Sequence, residues 1–424
     1  LGVIGLRRAA CQDRERAALI RECQPAGDQS VRCDLVSLYR GGEYRLHRYR
    51  RYSDVRLVWA PEAAVGAFGG DPDNFNFPRW CLDAAFLRAY DNGRPVQLDD
   101  HFRLQPAGPQ LGELLFIPGH PGSTQRLLTV AQLEQVRDRL AQQDIPAISE
   151  WRGMLHQYSQ GDAQARRLAQ AALNGVENGL RVQQGQLAAL LDPATMTRKR
   201  SEEDALKAFV NGREDLRREI GNPWAELERA QVVRREIGLM ASLLVEARAF
   251  PGDLFPQART LVRHSVERDK PEGERLREFQ ASALPAMERR LMAPVPVDAA
   301  YETARLGWAL TRLRSLLGAD HELVKQVLGP RSPQQAAAAM VGGTQLADPA
   351  IRQRLWRATA QDIRSSSDAM LQLALTLEPA SRALRQRWEA EVVAVEADAG
   401  RRIAQALFAM KGRSTYPDAT GTLR

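Results

Sequence analysis

The chain has 424 residues, of which 44% are hydrophobic and 26% charged, with a formal net charge of +7. This exceeds one compact domain of about 100–200 residues and predicts two or three. No apolar run approaches the roughly 20 residues of a membrane-crossing helix. Basic and acidic residues are interspersed, without an aromatic-interleaved basic stripe, which argues against nucleic-acid binding.

The first part of the chain predicts one helix followed by short strands. Apolar residues recur at helical spacing within residues 1–24. Short β-type segments follow, bounded by Gly, Pro and Asn turns such as Gly41-Gly42 and Asn92-Gly93. With no long helix between them, they indicate an antiparallel barrel or sandwich. The predicted strands are residues 34–39, 43–50, 55–59, 84–90 and 113–117.

From Thr129 to about Met410 the apolar spacing becomes helical in Ala-, Leu-, Arg- and Glu-rich segments. Proline predicts breaks at 144–146, 192–193, 251–252, 294–296 and 330. The clearest predicted helices are 130–143, 163–191, 201–220, 223–249, 299–317 and 380–411.

The two ends of the sequence lie inside structural elements. Leu1 is not a methionine and falls within the predicted helix, and a strand pattern starts at Thr420–Leu423. We therefore expect a piece of a longer polypeptide, and no signal peptide opens it.

The cysteines are Cys11, Cys23, Cys33 and Cys81, without a C-x-x-C pair. Cys23 and Cys33 flank a short loop and could form a disulfide in an oxidising compartment, or remain buried thiols. No His, Cys, Asp or Glu spacing predicts a metal site.

The segment 69–90 joins a glycine turn to a polar, aromatic loop and then to a strand preceded by Asp83. The triad aspartate of chymotrypsin-like proteases commonly stands before a strand in the form Asp-apolar-Ala-apolar-Leu, which residues 83–87 fit. Such a carboxylate orients a histidine and stabilises its imidazolium. Taken alone, the pattern also fits an aspartate that caps a strand. Asp54 is the rival, but a bulky Arg56 replaces the alanine of the pattern.

In its wider context the chain resembles the serine dipeptidyl-peptidases typified by dipeptidyl-peptidases seven and eleven of Gram-negative bacteria. The matching residues run in the family's order and cover essentially the whole chain. They are 48–58, 60–62, 69–90, 119–124, 126–129, 178, 185–187, 416–419 and 422–424.

The resemblance implies that Asp83 is the triad aspartate and that Asn74 binds the α-amino group of the substrate. Asn178 is implied as its partner, with Asn174 one helical turn away as the alternative. Amide oxygens accept hydrogen bonds from an ammonium without titrating. Phe75, at the same site, and Phe77 stand where the family often has tryptophan, so they form an aromatic wall or are ordinary core residues.

The resemblance also implies the architecture. The fold class is α+β, with a partial chymotrypsin-like double β-barrel at residues 1–125 carrying the aspartate. A large inserted all-α lid follows at 126–412, and a return into the second barrel at 413–424. Hydrolysis of peptides with free amino termini through an acyl-enzyme, without a cofactor, is expected. So are a periplasmic or cell-surface location in a Gram-negative bacterium and a possible homodimer.

The catalytic histidine and serine are not assigned. His120 and Ser123 lie three apart in a Pro-Gly turn without a nucleophile elbow, so a turn role is expected. We expect this piece alone to be inactive. One alternative is a non-catalytic peptide-binding or chaperone-like protein on the same scaffold. Another is nucleic-acid binding, which would show a steep salt dependence.

Overall fold

The computed structural model describes residues 3–4, 18–24, 30–70, 76–115 and 125–412. The chain divides into two compact units. Unit 1 comprises Leu1–Asp138, Gly185–Glu228 and Val395–Arg424, and unit 2 comprises Arg139–Gln184 and Arg229–Ala394. The division predicted from the sequence, at residues 125 and 412, stays a prediction.

Unit 1 contains two three-stranded antiparallel sheets. In the first, β1 (Val3–Ile4), β2 (Val31–Leu38) and β3 (Glu43–Arg50) pair in the order β1-β3-β2. In the second, β4 (Asp54–Trp59), β5 (Phe86–Asp91) and β6 (Arg94–Pro95) follow sequence order. Four of the five predicted strands are confirmed, and they pair antiparallel as predicted, but the strands among the described residues do not close a barrel.

Two predictions in this region are wrong. Val3–Ile4 is a strand paired with β3 rather than part of a helix, which agrees with the preference of β-branched residues for strands. Residues 18–23, from the same predicted helix, are helical. Residues 113–115 are not a strand, because Glu113 is held in a turn by hydrogen bonds in both directions with Gln110. Residues 116 and 117 lie outside the described residues.

The described chain is mostly helical, as predicted after Thr129. Three stretches of wider, π-helical turn occur at Leu140–Asp144, Ala241–Val245 and Glu389–Val393. The α-helices are α1 Ala63–Gly66, α2 Val130–Arg139, α3 Ile145–Ser159, α4 Ala163–Leu191, α5 Pro193–Asn211, α6 Glu214–Ile220, α7 Pro223–Met240, α8 Leu254–Glu267, α9 Leu284–Met292, α10 Ala299–Leu317, α11 Glu322–Leu328, α12 Pro333–Gly342, α13 Pro349–Arg357, α14 Ala360–Arg364, α15 Ala369–Trp388 and α16 Ala394–Lys411.

Several helix boundaries follow from capping residues. Asp192 caps α5 by accepting from the backbone N–H groups of Ala194 and Thr195, and Pro193 takes the first helical position. The Thr195 hydroxyl also donates to Asp192, and this bond, followed by the two backbone bonds, lowers the pKa of Asp192. Asp298 likewise caps α10, whose bounds match the prediction.

Other helix boundaries differ from the prediction. The break at 144–146 is wrong, since Pro146 falls in the first turn of α3, directly after a π-helical turn, where its missing N–H costs little. The segment 201–220 is two helices separated at Gly212, and the first begins at Pro193. The helix predicted from residue 380 already begins at Ala369 and contains Pro379.

The helical part of unit 1 has its own core. Leu206, Val210, Ile220 and Trp224 pack together with Ala406 of α16. On another face of α16, Phe408 meets the ring of Tyr39 with 4.8 Å between centroids. A Cβ on Gly42 would lie 2.5 Å from that of Ala404, so this turn requires glycine to approach the helix. These contacts fasten the β2–β3 turn to α16.

Unit 2 is built around a larger core that draws on most of its helices, with Phe250, Leu261, Leu310 and Leu371 among its buried members. A smaller cluster joins α3, α4 and α10 through Leu155, Leu173 and Tyr301. In the part of the chain that the structure describes, no helix is long and apolar enough to cross a membrane.

Candidate functional site

Asp83 stands immediately before the second sheet of unit 1, three residues ahead of Phe86, where β5 begins. The backbone N–H of Leu82 donates to the Val65 carbonyl oxygen of α1 at 3.2 Å, which fixes the approach to the strand. Asp83 itself is exposed. Its carboxylate therefore lies at an anchored strand end and is accessible to a partner.

The strand that follows Asp83 pairs with β4, with a bulge between Leu57 and Trp59. The pattern at 83–87 suggests a buried strand, yet Phe86 and Leu87 are 55% and 64% exposed. Among the described residues, this sheet therefore presents apolar side chains to the outside.

Asp54, the rival aspartate, is already paired. Arg56 donates from Nε to Oδ1 at 2.9 Å and from Nη2 to Oδ2 at 2.8 Å. These hydrogen bonds hold the pKa of Asp54 below its usual value. The Arg56 guanidinium also lies over the Tyr90 ring, 3.9 Å from its centroid. Because both oxygens are engaged by one fork-shaped donor, Asp54 is poorly placed to orient a histidine.

The loop ahead of Asp83 is described only in part. Asn74 and Phe75 lie outside the described residues, as do His120 and Ser123. Phe77 is described and is 97% exposed, so it is not a core aromatic among the described residues. The alternative of an aromatic wall remains a prediction.

Asn178 lies on the exposed side of α4 in unit 2, opposite the buried residues Leu173, Val176 and Leu180. Asn174, one turn earlier, is also exposed, and its amide oxygen accepts from Gln170 at 2.9 Å. Both amides thus lie on the exposed surface of α4, whose bounds match the predicted helix 163–191. Since Asp83 belongs to unit 1, the role of Asn178 stays a prediction.

A charged group beside Asn178 was not identified from the sequence. Glu177 accepts from Arg152 Nε at 2.5 Å, and His156 Nε2 lies 3.3 Å from the same oxygen. These residues join α3 to α4. Only Glu177 belongs to one of the clearest predicted helices, 163–191, so the sequence pattern did not indicate the pairing.

Two other histidines and the described cysteines, the residue types that could act as bases, nucleophiles or ligands, make contacts within the fold. His264 is buried and stacks on Trp356, and His47 contacts the hydroxyl of Tyr49 at 3.0 Å. Within the described residues, no group of three His, Cys, Asp or Glu side chains could hold a metal. Cys23 and Cys33 form a disulfide, and Cys81 is a half-buried free thiol.

The family of the chain is decided by a match to the Peptidase S46 family over residues 5–424. The chain belongs to the peptidase S46 family. Nearly its whole length carries this relationship, including the segment around Asp83.

Relatives within the S46 family have dipeptidyl-peptidase names. The Asp/Glu-specific dipeptidyl-peptidase of Shewanella putrefaciens is 26% identical over 96% of this chain and 57% of its own length. Dipeptidyl-peptidase 7 of Porphyromonas gingivalis is 32% identical over 48% of this chain and 30% of its own. The chain thus spans little more than half of the first relative.

A solved structure shares the fold. Porphyromonas endodontalis DPP11 in complex with the dipeptide Arg-Glu superposes with a TM-score of 0.72 at 19% identity, covering 99% of this chain and 62% of that one. Its complex with Arg-Asp gives 0.71. At this identity the likeness shows the fold alone.

Proposed function

We propose that this S46 chain is part of a serine-type dipeptidyl aminopeptidase, which releases dipeptides from free amino termini through an acyl-enzyme. The observation that carries the proposal is the family match over residues 5–424, within which named relatives are dipeptidyl-peptidases. Asp83 is the residue of this chain assigned to the chemistry.

In the proposed mechanism the Asp83 carboxylate accepts the Nδ1 proton of a catalytic histidine, holding the ring so that Nε2 can take a proton from the serine nucleophile. The carboxylate then stabilises the imidazolium that forms. Asp83 suits this role because it is exposed at a strand end held by the Leu82–Val65 hydrogen bond. Asp54 suits it less, because Arg56 occupies both of its oxygens.

Asn74, Phe75 and Asn178 are proposed to bind the amino terminus of the substrate. Amide oxygens from Asn74 and Asn178 would accept from the ammonium, and Phe75 would line the wall beside it. Fixing the amino group limits the peptide between it and the scissile bond to two residues. This arrangement would account for dipeptide release.

The finer architecture is also a proposal. A double β-barrel with a helical lid is supported by two antiparallel sheets in unit 1 and by a long helical stretch between residues 126 and 412. A periplasmic or cell-surface location is supported by the Cys23–Cys33 disulfide, since such bonds persist in oxidising compartments. A homodimer rests on the resemblance alone.

The decisive experiment uses the complete protein that contains this chain. We expect Asp83→Asn to lower kcat/KM on a chromogenic dipeptide substrate by about a thousandfold or more, because the histidine loses its orienting carboxylate. Asp54→Asn is the matched control and should change kcat/KM less than tenfold. Circular dichroism confirms that both variants fold. Equal losses in the two, or a larger loss in Asp54→Asn, would refute the assignment.

Two further measurements bear on the same proposal. An acetylated amino terminus should abolish cleavage, since it removes the ammonium that the asparagines bind. We also infer that the 424-residue chain on its own has no peptidase activity, because it supplies one assigned member of the triad. Turnover by the chain alone would contradict this inference.

The alternative is a non-catalytic peptide-binding protein on the same scaffold. It predicts that the complete protein binds peptides with free amino termini but leaves them intact, and that Asp83→Asn does not change binding. Mass spectrometry of the incubated peptide separates the two functions.

A further inference from the structure

Unit 2 contains a cavity of about 360 Å³ beside α10, and every residue that lines it belongs to this unit. Its apolar wall includes the indoles of Trp151 and Trp308, whose ring centroids lie 4.7 Å apart at 50°. Ile148 and the buried Leu243 extend this wall. A cavity of this size and lining is typical of sites for small organic ligands.

The charged groups of the lining are one carboxylate and two guanidiniums, beside the uncharged Gln143, Gln183 and Ser242. Asp144 provides a carboxylate, but its side chain is only 10% exposed and is paired with both Arg139 and Arg248. Arg312 also lines the cavity and pairs with Glu150. A guanidinium has five N–H groups, and the contacts of Arg312 and Arg248 with described residues engage only some of them. Both oxygens of the lining carboxylate are thus paired with arginines, and the two guanidiniums keep N–H groups that could donate to a ligand. The buried Gln183 Oε1 is an acceptor without a hydrogen bond to the described residues.

We propose that this cavity binds a small carboxylic acid that carries an aromatic or branched apolar group. Its carboxylate would accept from Arg312 and Arg248, as guanidinium forks favour, and its apolar group would lie against Trp151 and Trp308. A dipeptide with an apolar second residue and a free apolar acid share this chemistry. Asn178 is not among the lining residues, so the site goes beyond the proposed peptidase function.

The test compares 3-phenylpropionate with 3-phenylpropanamide, which keeps the ring and loses the charge. Isothermal titration calorimetry of the complete protein should show the acid binding at least about tenfold more tightly than the amide. Neither probe has an amino group, so the proposed amino-terminus site would not hold them. Equal affinity for acid and amide, or no saturable binding up to about 10 mM, would overturn the proposal.

Variants locate the binding. Arg312→Gln and Arg248→Gln should each weaken acid binding at least about fivefold and leave amide binding unchanged. Arg248 is 54% exposed, so its variant is expected to fold. Arg314→Gln, an exposed change of the same charge on the same helix, is the control and should have no effect. Loss of binding in Arg314→Gln equal to that in the other two would also reject the site.

Two additional arms define the ligand. Trp308→Leu should weaken both probes, because it removes part of the apolar wall. Gly-Phe, titrated into wild type and Arg312→Gln, should show the same loss as phenylpropionate if dipeptides are ligands. Binding of phenylpropionate alone assigns the site to non-peptide acids. The phenylpropionate and phenylpropanamide titrations involve neither turnover nor an amino group, so their outcome is independent of the peptidase proposal. For Gly-Phe, which has an amino group, only the difference between wild type and Arg312→Gln reports on this cavity.

Discussion

Arg352 is almost completely buried in unit 2, and its guanidinium is held by backbone oxygens. It donates to the carbonyls of Leu291 and Ala293, at the end of α9, and to those of Leu346 and Ala347, ahead of α13, at 2.6–2.8 Å. Burial lowers its pKa, and Asp348 offsets part of that effect. One side chain therefore satisfies the acceptors of two chain segments.

We predict that Arg352→Met lowers the free energy of unfolding by about 3 kcal/mol, because four carbonyls, two of them in buried and two in part-buried hydrogen bonds, lose their donor. The stability of Arg352→Lys should lie between those of wild type and Arg352→Met, because an ammonium has three donors but lacks the planar donor arrangement of the guanidinium. Arg354→Met, exposed on the same helix, is the control and should change stability by less than about 0.5 kcal/mol. Urea unfolding measures all three, and equal effects at 352 and 354 would count against this role.

At the level of single residues, the sequence was informative where a motif combines position and chemistry. Asp83 stands beside β5 as its pattern predicted, but the pattern could not show that Phe86 and Leu87 are exposed. The pairing of Asp54 with Arg56 was also hidden, because it depends on two side chains projecting from one face of β4. Such contacts arise from tertiary geometry, which periodicity does not encode.

Among the elements, prediction succeeded where periodicity and capping agree. The strand β3 and the helices α4 and α10 have the predicted bounds. It failed at two prolines: Pro146 lies in the first turn of α3, where proline is tolerated, and α15 contains Pro379 in its interior. The π-helical turn Leu140–Asp144 has no composition signal of its own, so the continuity of α2 and α3 could not be anticipated.

The packing of α8 against α13 makes one histidine sensitive to pH. His264 stacks on Trp356 with 3.4 Å between centroids, and burial, together with Arg268 and Arg275, lowers its pKa to about 4. An unfolded histidine titrates near 6.5, so the unfolded chain binds this proton first as the pH falls. The stabilisation is full above about 6.5 and is lost between 6.5 and 4, by up to about 3 kcal/mol.

We therefore predict that His264→Phe, which keeps an aromatic stack but cannot be protonated, flattens this part of the pH dependence. Urea unfolding at pH 7.5 and 4.5 should show a smaller stability difference in His264→Phe than in wild type. His156→Gln, an exposed histidine of the same unit, should keep the wild-type difference. An unchanged pH dependence in His264→Phe would show that other groups dominate.

For the whole molecule, the two units have separate cores, so a perturbation of one should be readable apart from the other. Both cysteines of the disulfide belong to unit 1, where the bond joins the helical residues 18–23 to β2 and spans a sequence separation of 10. Closing a loop of that length stabilises the folded state by about 2–3 kcal/mol in the chain-entropy account.

We predict that Cys23→Ser with Cys33→Ser accelerates amide hydrogen exchange in β2 and β3 of unit 1 and leaves exchange in α8 and α15 of unit 2 unchanged. Cys81→Ser, which removes a free thiol of the same unit, is the control and should alter neither. Faster exchange spread evenly over both units would mean that their stabilities are coupled, since the bond could then act on unit 2 only through unit 1.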